Sequence, residues 1–261
     1  MIHLIDNTNR HLYEADLEAM HRQRHDHFVV DHGWRGLRAD NGLETDAYDD
    51  DKAMYLLAFA RSGEIAVSAR VRMAEPTGLL ADHFSHLVAD GQVSGPGVFE
   101  CTRYLVARPF RGPAGFEYHS RLHLALLELM SDLAAKRLLG FTDLQLVMHM
   151  RRVSGLMIRP VGLPADYEEG TALAFEFLLG QQPLAFCRES LCLAASQLFR
   201  APSWLTDRAG AETLEKATSI VASNDATLGD TFSKTVRQLS RGICDQPDST
   251  GVLERLMAKA A

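Results

Sequence analysis

The segment GVFECTRYLVAR, residues 97–108, is an apolar run that contains two charged side chains, Glu100 and Arg103. A charge among apolar side chains is costly unless it is paired or used in chemistry. The run is typical of a strand, and residues three apart on a regular strand face opposite sides of the sheet. Bringing both charges to one site therefore requires a β-bulge. A purely structural ion pair is the alternative interpretation.

The segments around this strand predict a mixed sheet with helices on its faces. AMYLLAFAR and EIAVSARVRM flank Ser62-Gly63, which indicates a hairpin, and the second segment carries Arg70 and Arg72 on its polar face. HSRLHLALLELMSDLAAKRLLG predicts a helix that ends at Gly140, and DLQLVM and ALAFEFLL predict further strands. We therefore expect an α/β (α+β) fold with a mixed, largely antiparallel central sheet flanked by helices.

The two ends of the chain differ in character. Residues 10–25 predict an amphipathic helix, and Arg24 and Phe28 would share one of its faces if the helix continues. Residues 35–52 are polar and predict a long loop of the kind that is often functional. We expect one domain over residues 1–200 and a helical C-terminal extension over residues 201–261.

Composition excludes several classes of protein. A chain of 261 residues with 46% hydrophobic and 23% charged residues is expected to fold around a core. A net charge of -7 argues against nucleic-acid binding. No apolar run reaches the roughly 18 residues of a membrane span, and the N-terminus lacks a signal pattern, so we expect a cytoplasmic protein. The histidine pairs lack the HExxH arrangement, and we expect no metal site.

The sequence ARPFRGPAG lies between the charged strand and the long helix. Backbone N–H groups at the start of a helix can bind phosphate, and Arg108 and Arg111 flank this turn. With Gly112 and Gly115 the turn loosely resembles the loop with which the acetyltransferase fold holds the pyrophosphate of coenzyme A. Pro113 removes one N–H donor from it. A plain strand-to-helix turn is the alternative.

One set of residues, taken in order, resembles the signature of the acyl-homoserine lactone synthases, the autoinducer synthases of bacterial quorum sensing. The set is Arg24, Phe28, Trp34, Asp46 and Asp49 in ETDAYD, Arg70 in SARVRM, Phe84, and Glu100 and Arg103 in ECTRYLV. The resemblance covers roughly residues 1–180. The family shares the acetyltransferase-like fold, which is known for a bulge in the corresponding strand. Thr102 and Tyr104 depart from the serine and phenylalanine that are usual in the family.

The resemblance implies an acyltransferase that makes an N-acyl-homoserine lactone from S-adenosylmethionine and a fatty acyl thioester. The methionyl amine is acylated, and its carboxylate then closes the lactone with release of methylthioadenosine. No permanently bound cofactor is implied. The alternatives are another acyl-CoA-dependent N-acyltransferase of the same fold and a non-catalytic ligand-binding sensor.

The resemblance also implies a role for each site residue. Glu100 is the expected base for the amine, and Asp46 and Asp49 are expected to bind that amine and to position the N-terminal segment. Phe28 and Trp34 are expected to close over the sulfonium cation. The remaining residues expected at the S-adenosylmethionine site, three of them arginines suited to carboxylates, are Arg24, Arg70, Arg103 and Phe84.

The acyl donor is either acyl carrier protein or coenzyme A, and the RPFRGPAG turn favours coenzyme A. An acidic carrier protein would dock on Arg151, Arg152 and Arg159. Met148 is expected to line the acyl pocket, where it offers no hydroxyl to a 3-oxo group. The other residues assigned to the acyl or phosphopantetheine region are Thr102, Tyr104, Arg108 and Arg111.

Overall fold

The computed structural model describes residues 1–201 except 35, 61, 113–114, 154–156 and 168–169, and it does not describe the side chains of 149 and 151–153. The predicted helical extension lies outside the described residues apart from residue 201, as do the side chains of the proposed carrier-protein arginines Arg151 and Arg152. Within the described ranges, no helix is long and apolar enough to cross a bilayer.

Eleven strands are found in the described part of the chain. They are β1 Ile2–Ile5, β2 Ala39–Asp40, β3 Leu43–Glu44, β4 Met54–Phe59, β5 Ile65–Met73, β6 Val98–Val106, β7 Arg137–Asp143, β8 Ile158–Pro160, β9 Ala165–Tyr167, β10 Gly170–Phe177 and β11 Leu198–Arg200. Nine form one sheet in the order β11-β1-β4-β5-β6-β7-β10-β8, with β9 also on β10, while β2 and β3 form a small hairpin. Only the β1–β11 and β6–β7 pairs of these described strands are parallel, which confirms the largely antiparallel sheet.

Helices cover the sheet. They are α1 Glu14–Arg24, α2 Leu79–His83, α3 Phe116–Asp132, α4 Leu144–Val153 and α5 Gln181–Ser190. Helix α1 continues without a break as a π-helix, His25–Asp31, so the chain is helical from Arg24 to Phe28, as the sequence prediction required. Short 3-10 turns at Arg10–Leu12, Ser85–Leu87 and Arg108–Phe110 complete the helical elements.

Two predicted elements are wrong. The helix expected to reach Gly140 ends at Asp132, where the chain turns through Ala134 at φ 49 and then enters β7. The strand expected at DLQLVM is the start of α4, and the Asp143 side chain accepts the N–H of Gln145 at 2.8 Å. Short apolar runs such as LLGF fit either structure, and here pairing of β7 with both β6 and β10 selects the strand.

The two faces of the central strands have different chemistry. One face packs against α3 in the main apolar core, to which β5 and β6 contribute Val67, Ala69, Val71, Phe99 and Cys101. The opposite face carries polar residues in register, with Arg70 opposite Thr102 and Arg72 opposite Glu100. All four of these polar side chains belong to buried residues, so this face must supply partners for them.

The predicted β-bulge is present in β6. Arg70 is opposite Thr102 and Ser68 is opposite Leu105, so two residues of β6, Arg103 and Tyr104, occupy the place opposite one residue of β5. Arg103 adopts φ 50, a left-handed conformation that is uncommon outside glycine. Because of the extra residue, Arg103 reaches the polar face beside Thr102, and Tyr104 packs against the α3 core.

The strands β6 and β7 separate beyond the bulge. They pair from Val98 with Arg137 to Cys101 with Gly140, and from there β6 stays with β5 while β7 stays with β10. A V-shaped opening between the two strands therefore begins next to the residues that carry the charges.

Candidate active site

Glu44 lies at the centre of the buried charge cluster. Its side chain is fully buried and accepts hydrogen bonds from Arg24 at 2.5 Å and from Arg103 at 2.8 and 3.0 Å. The β2–β3 hairpin places Glu44 between helix α1 and the bulge of β6. The carboxylate thus joins the N-terminal helix to the central sheet.

Asp49 makes a second link between α1 and the sheet. Its carboxylate receives two hydrogen bonds from Arg24, at 2.8 and 3.0 Å, and contacts Arg70 at 3.0 Å. It also accepts the hydroxyl of Tyr55 and the backbone N–H of Asp46, both at 2.9 Å. Burial raises the pKa of this carboxyl, but the hydrogen bonds and charge of Arg24 outweigh burial and hold the pKa far below its ordinary value.

Asp46 is the most exposed carboxylate of the cluster, with 17% of its side chain accessible. It binds Arg70 at 2.5 and 3.0 Å and Arg103 at 2.8 Å. Burial opposes ionisation, but Arg70 lowers the pKa of Asp46 overall. The remaining donor of Arg70, Nε, donates to the Thr102 hydroxyl at 3.0 Å. The threonine, which stands where serine is usual in the family, therefore supplies a hydroxyl that helps to hold Arg70.

Glu100 is held differently from the other acids. It is 1% exposed and accepts the backbone N–H groups of Leu79 and Leu80, at 2.9 and 3.1 Å, at the start of α2. The backbone passes so close that a Cβ on Gly78 would lie 2.8 Å from Oε2 of Glu100. Burial raises the pKa of Glu100 even though these N–H groups and the nearby Arg70 lower it. A buried carboxylate with a raised pKa is suited to accepting a proton near neutral pH.

Phe28 and Trp34 form a stacked pair beside the charge cluster. Their ring centroids are 5.1 Å apart with an interplanar angle of 20°, and the backbone N–H of Trp34 donates to the backbone carbonyl of Phe28 at 3.0 Å. The guanidinium carbon of Arg103 lies 5.7 Å from the Phe28 ring centre. The π-helical segment therefore presents an aromatic surface next to the cations.

The other predicted residues lie around this centre. Phe84 packs against Phe141 of β7 with centroids 4.5 Å apart, on the polar-face side of the sheet. Tyr104 lies on the α3 side, where its hydroxyl is hydrogen-bonded to His119. Met148 lies on α4 with 46% of its surface exposed, whereas its neighbours Val147 and Met150 are buried.

The turn before α3 contacts the π-helix. Arg111 donates to Nδ1 of His27 at 2.7 Å and to the Val106 carbonyl at 3.1 Å, and Arg108 pairs with Asp31 at 3.5 Å. Burial, together with the charge of Arg111, lowers the pKa of His27 to about 4, so this ring accepts the hydrogen bond as a neutral group. These two contacts join the turn before α3 to the π-helix that carries Phe28.

Glycine is required at one point of this turn. A Cβ on Gly115 would lie 1.8 Å from the Phe110 carbonyl oxygen, and Gly112 adopts φ 81. Gly115 thus lets the start of α3 pack against the backbone of the 3-10 turn Arg108–Phe110. The predicted order of strand, turn and helix is confirmed.

Sequence reasoning missed several buried polar residues. Glu44, which pairs with Arg24 and Arg103, was not assigned. Arg72 pairs with Asp50 at 2.8 Å, and His123 lies fully buried in the α3 core. Among the described residues, no group of three or more metal-ligating side chains is found.

The family model described as autoinducer synthase matches residues 8–180 of the chain. The chain belongs to the autoinducer synthase family. It is 32% identical over 190 residues to isovaleryl-homoserine lactone synthase of Bradyrhizobium diazoefficiens, covering 70% of this chain and 82% of the relative. It is 33% identical over 148 residues to an acyl-homoserine-lactone synthase of Ralstonia nicotianae, covering 54% of this chain and 72% of that relative.

A solved structure agrees with these relatives. The CoA-dependent acyl-homoserine lactone synthase BjaI, with SAM and isopentyl-CoA, superposes with a TM-score of 0.69 at 29% identity, covering 77% of this chain and 92% of that one. The predicted family, the acetyltransferase-like fold and the assignment as an acyl-homoserine-lactone synthase are confirmed. The roles of individual residues stay predictions.

Proposed function

We propose that this acyltransferase makes an N-acyl-homoserine lactone from S-adenosylmethionine and an acyl-CoA, at the junction of the charge cluster, the aromatic pair and the V-shaped opening. The observation that carries the proposal is the bulge at Arg103. It brings this cation onto the face that holds Glu100, beside Asp46 and the Phe28 ring.

The methionyl part of S-adenosylmethionine needs both charges of the cluster. Its carboxylate fits a surface of arginines. Its amine fits Asp46, whose side chain is more exposed than those of the other acids in the cluster. Asp49 and Glu44 are saturated by arginines and act by holding them in position. The sulfonium is attracted to the aromatic face of Trp34 and Phe28.

Glu100 removes the proton that the attacking amine must lose. The neutral amine nitrogen forms a bond to the thioester carbonyl carbon, the carbon–sulfur bond breaks to release the thiolate, and the amine proton passes to Glu100 directly or through one water, from which the thiolate can then be protonated. The methionyl carboxylate then attacks the γ-carbon, and the carbon–sulfur bond breaks to release methylthioadenosine. The second step needs no base, because a carboxylate is already the nucleophile and a neutral thioether leaves.

Coenzyme A is the proposed carrier because the turn before α3 has the features of a phosphate site. Arg108 and Arg111 supply two cations there, just before the start of α3, where backbone N–H groups can bind phosphate. Isovaleryl-homoserine lactone synthase and the CoA-dependent BjaI are similar to this chain, which supports the same carrier. The alternative carrier, acyl carrier protein, would dock on three arginines, and Arg159 is the one of them whose side chain is described. That side chain is 66% exposed and pairs with Glu176.

The test is methylthioadenosine release by the full chain with S-adenosylmethionine and a panel of acyl thioesters on both carriers, with mass spectrometry of extracted products. We expect release that depends on an acyl-CoA and a lactone of matching mass. Release with acyl carrier protein alone would overturn the carrier assignment. An acylated amine formed without methylthioadenosine would instead indicate an N-acyltransferase with a different acceptor.

A further inference from the structure

Three residues form a polar group inside the otherwise apolar α3 core, and we name them the tyrosine–histidine cluster: Tyr104, His119 and His123. The Tyr104 hydroxyl is hydrogen-bonded to His119. The rings of His119 and His123 lie 4.1 Å apart, and that of His123 lies 5.7 Å from Tyr104. The bulge places Tyr104 here, and the spacing of four on α3 places both histidines on the same helix face.

His123 is the unusual member of this cluster. It is 0% exposed, and neither ring nitrogen has a hydrogen-bond partner among the described residues. Burial lowers its pKa well below the ordinary value, so the ring is neutral and offers one N–H donor and one acceptor nitrogen. Buried polar groups nearly always have a hydrogen-bond partner, so two ring nitrogens without one indicate that a ligand supplies the missing hydrogen bond.

The cluster lies beside the opening between β6 and β7. Tyr104 follows Cys101, the last residue of β6 that pairs with β7, by three positions. Gly140, the last residue of β7 that pairs with β6, has no side chain, and the Phe175 ring covers it so closely that a Cβ would lie 2.8 Å away. Phe177 also faces His123, with centroids 6.5 Å apart. The side chains that lie beside the opening on the α3 side are therefore aromatic rings and the polar groups of the tyrosine–histidine cluster.

We infer that the tyrosine–histidine cluster forms the polar end of the acyl-binding region and selects acyl donors that carry a hydroxyl group. The inference rests on the proposed function, because it assumes that the acyl group enters between β6 and β7. A hydroxyl fits either tautomer of His123, since it donates to a bare nitrogen and accepts from an N–H. An unsubstituted chain leaves both nitrogens of His123 unpaired.

The experiment compares matched donors, each acyl chain offered with and without a hydroxyl, at the third carbon or at the far end. Each is presented on coenzyme A and on acyl carrier protein, and kcat/KM is measured by methylthioadenosine release. We expect the wild type to prefer one hydroxylated donor over its unsubstituted partner by at least about tenfold, because a site built to bind a hydroxyl rejects the analogue that lacks it.

Two variants localise the preference. His123→Phe keeps an aromatic ring and removes both nitrogens, so the preference should collapse through loss of kcat/KM for the hydroxylated donor alone. His3→Phe is the matched control, because His3 is also a buried histidine among aromatic rings, on β1. It should leave the donor ratio unchanged.

Thermal unfolding of His123→Phe without substrate adds a readout that does not depend on activity. The variant should be at least as stable as the wild type, because it removes an unpaired buried polar group. The proposed selectivity would be overturned if the wild type prefers unsubstituted donors, or if His123→Phe lowers kcat/KM equally for both donors. Either result would leave the proposed function standing. No methylthioadenosine from any donor would overturn both.

Discussion

Nε and Nη2 of Arg103 donate to the same carboxylate oxygen of Glu44, at 3.0 and 2.8 Å. The other oxygen of Glu44 binds Arg24, so one fully buried acid neutralises cations from the N-terminal helix and from the bulge. Loss of such an acid leaves buried positive charge without compensation, which is more costly than the pair is favourable. The bulge and the N-terminal helix therefore depend on each other.

Glu44→Gln should reduce the free energy of unfolding by roughly 3–5 kcal/mol, because it keeps the volume of Glu44 and removes its charge from between two arginines. Thermal unfolding should show a fall in Tm of roughly 6–20 °C. Glu117→Gln is the control, since Glu117 is 68% exposed and its pair with Arg121 should contribute less than about 1 kcal/mol. Equal Tm values for both variants would contradict the central position of Glu44.

Glu100→Gln should lower kcat/KM by roughly 100- to 10,000-fold, because it removes the base while the buried volume stays filled. In the wild type the rate should fall as the pH drops through the raised pKa of Glu100, since only the ionised carboxylate accepts the proton. The pH–rate profile of Glu100→Gln should lack this fall on the acidic side, called here the acidic limb. Glu176→Gln, at another buried glutamate that pairs with Arg137 and Arg159, should affect stability without removing the limb.

Asp49→Asn should destabilise the protein by roughly 3–5 kcal/mol at neutral pH. The pKa of Asp49 is lowered on folding, so its stabilising effect is complete above the unfolded value of about 3.9 and is lost as the pH falls below that value. The difference in unfolding free energy between wild type and variant should thus be constant from about pH 7 to 5 and shrink below about pH 4. A difference that grows in acid would refute this origin. Asp51→Asn, at a side chain that is 96% exposed, is the control.

The sequence was a good guide where a physical conflict had one solution. Glu100 and Arg103 could share a site only if β6 carried a bulge, and the register opposite Ala69 shows that bulge. The hairpin of β4 and β5 followed from alternation around Ser62-Gly63. In both cases a local pattern determined the structure without information from distant residues.

Prediction failed where distant residues decide the structure. The run RLLGFTD continues the helical spacing of α3, and only pairing with β6 and β10 makes it a strand. Glu44 lies in a polar stretch of sequence, and its burial depends on Arg24 and Arg103, which are 20 and 59 residues away along the chain. Such contacts leave little trace in a local pattern.

Trp34→Ala should raise KM for S-adenosylmethionine roughly 2- to 30-fold, which corresponds to the 0.5–2 kcal/mol of a cation–π contact. The KM for the acyl donor should stay within about twofold, and Trp34→Phe should restore most of the loss because an aromatic face returns. Phe186→Ala removes another half-exposed aromatic ring, on α5, and serves as the control. A lower Tm with unchanged KM would show that Trp34 only covers the core.

Arg111→Gln should raise KM for acyl-CoA roughly tenfold, the effect of losing one charge-assisted hydrogen bond to a phosphate. With S-adenosylmethionine saturating, the same acyl group on pantetheine, which lacks the phosphates, should show no such increase. Arg121→Gln, farther along α3 and paired with Glu117, should leave both values unchanged.

Arg111 also contacts His27 of the π-helix, so the variant separates two roles of this arginine. His27→Gln removes the ring and leaves the Arg111 cation in place. If Arg111 binds phosphate, His27→Gln should leave KM for acyl-CoA near the wild-type value while Arg111→Gln raises it. If both variants instead raise only KM for S-adenosylmethionine, Arg111 serves to position the aromatic pair through His27, and the turn before α3 is not the phosphate site.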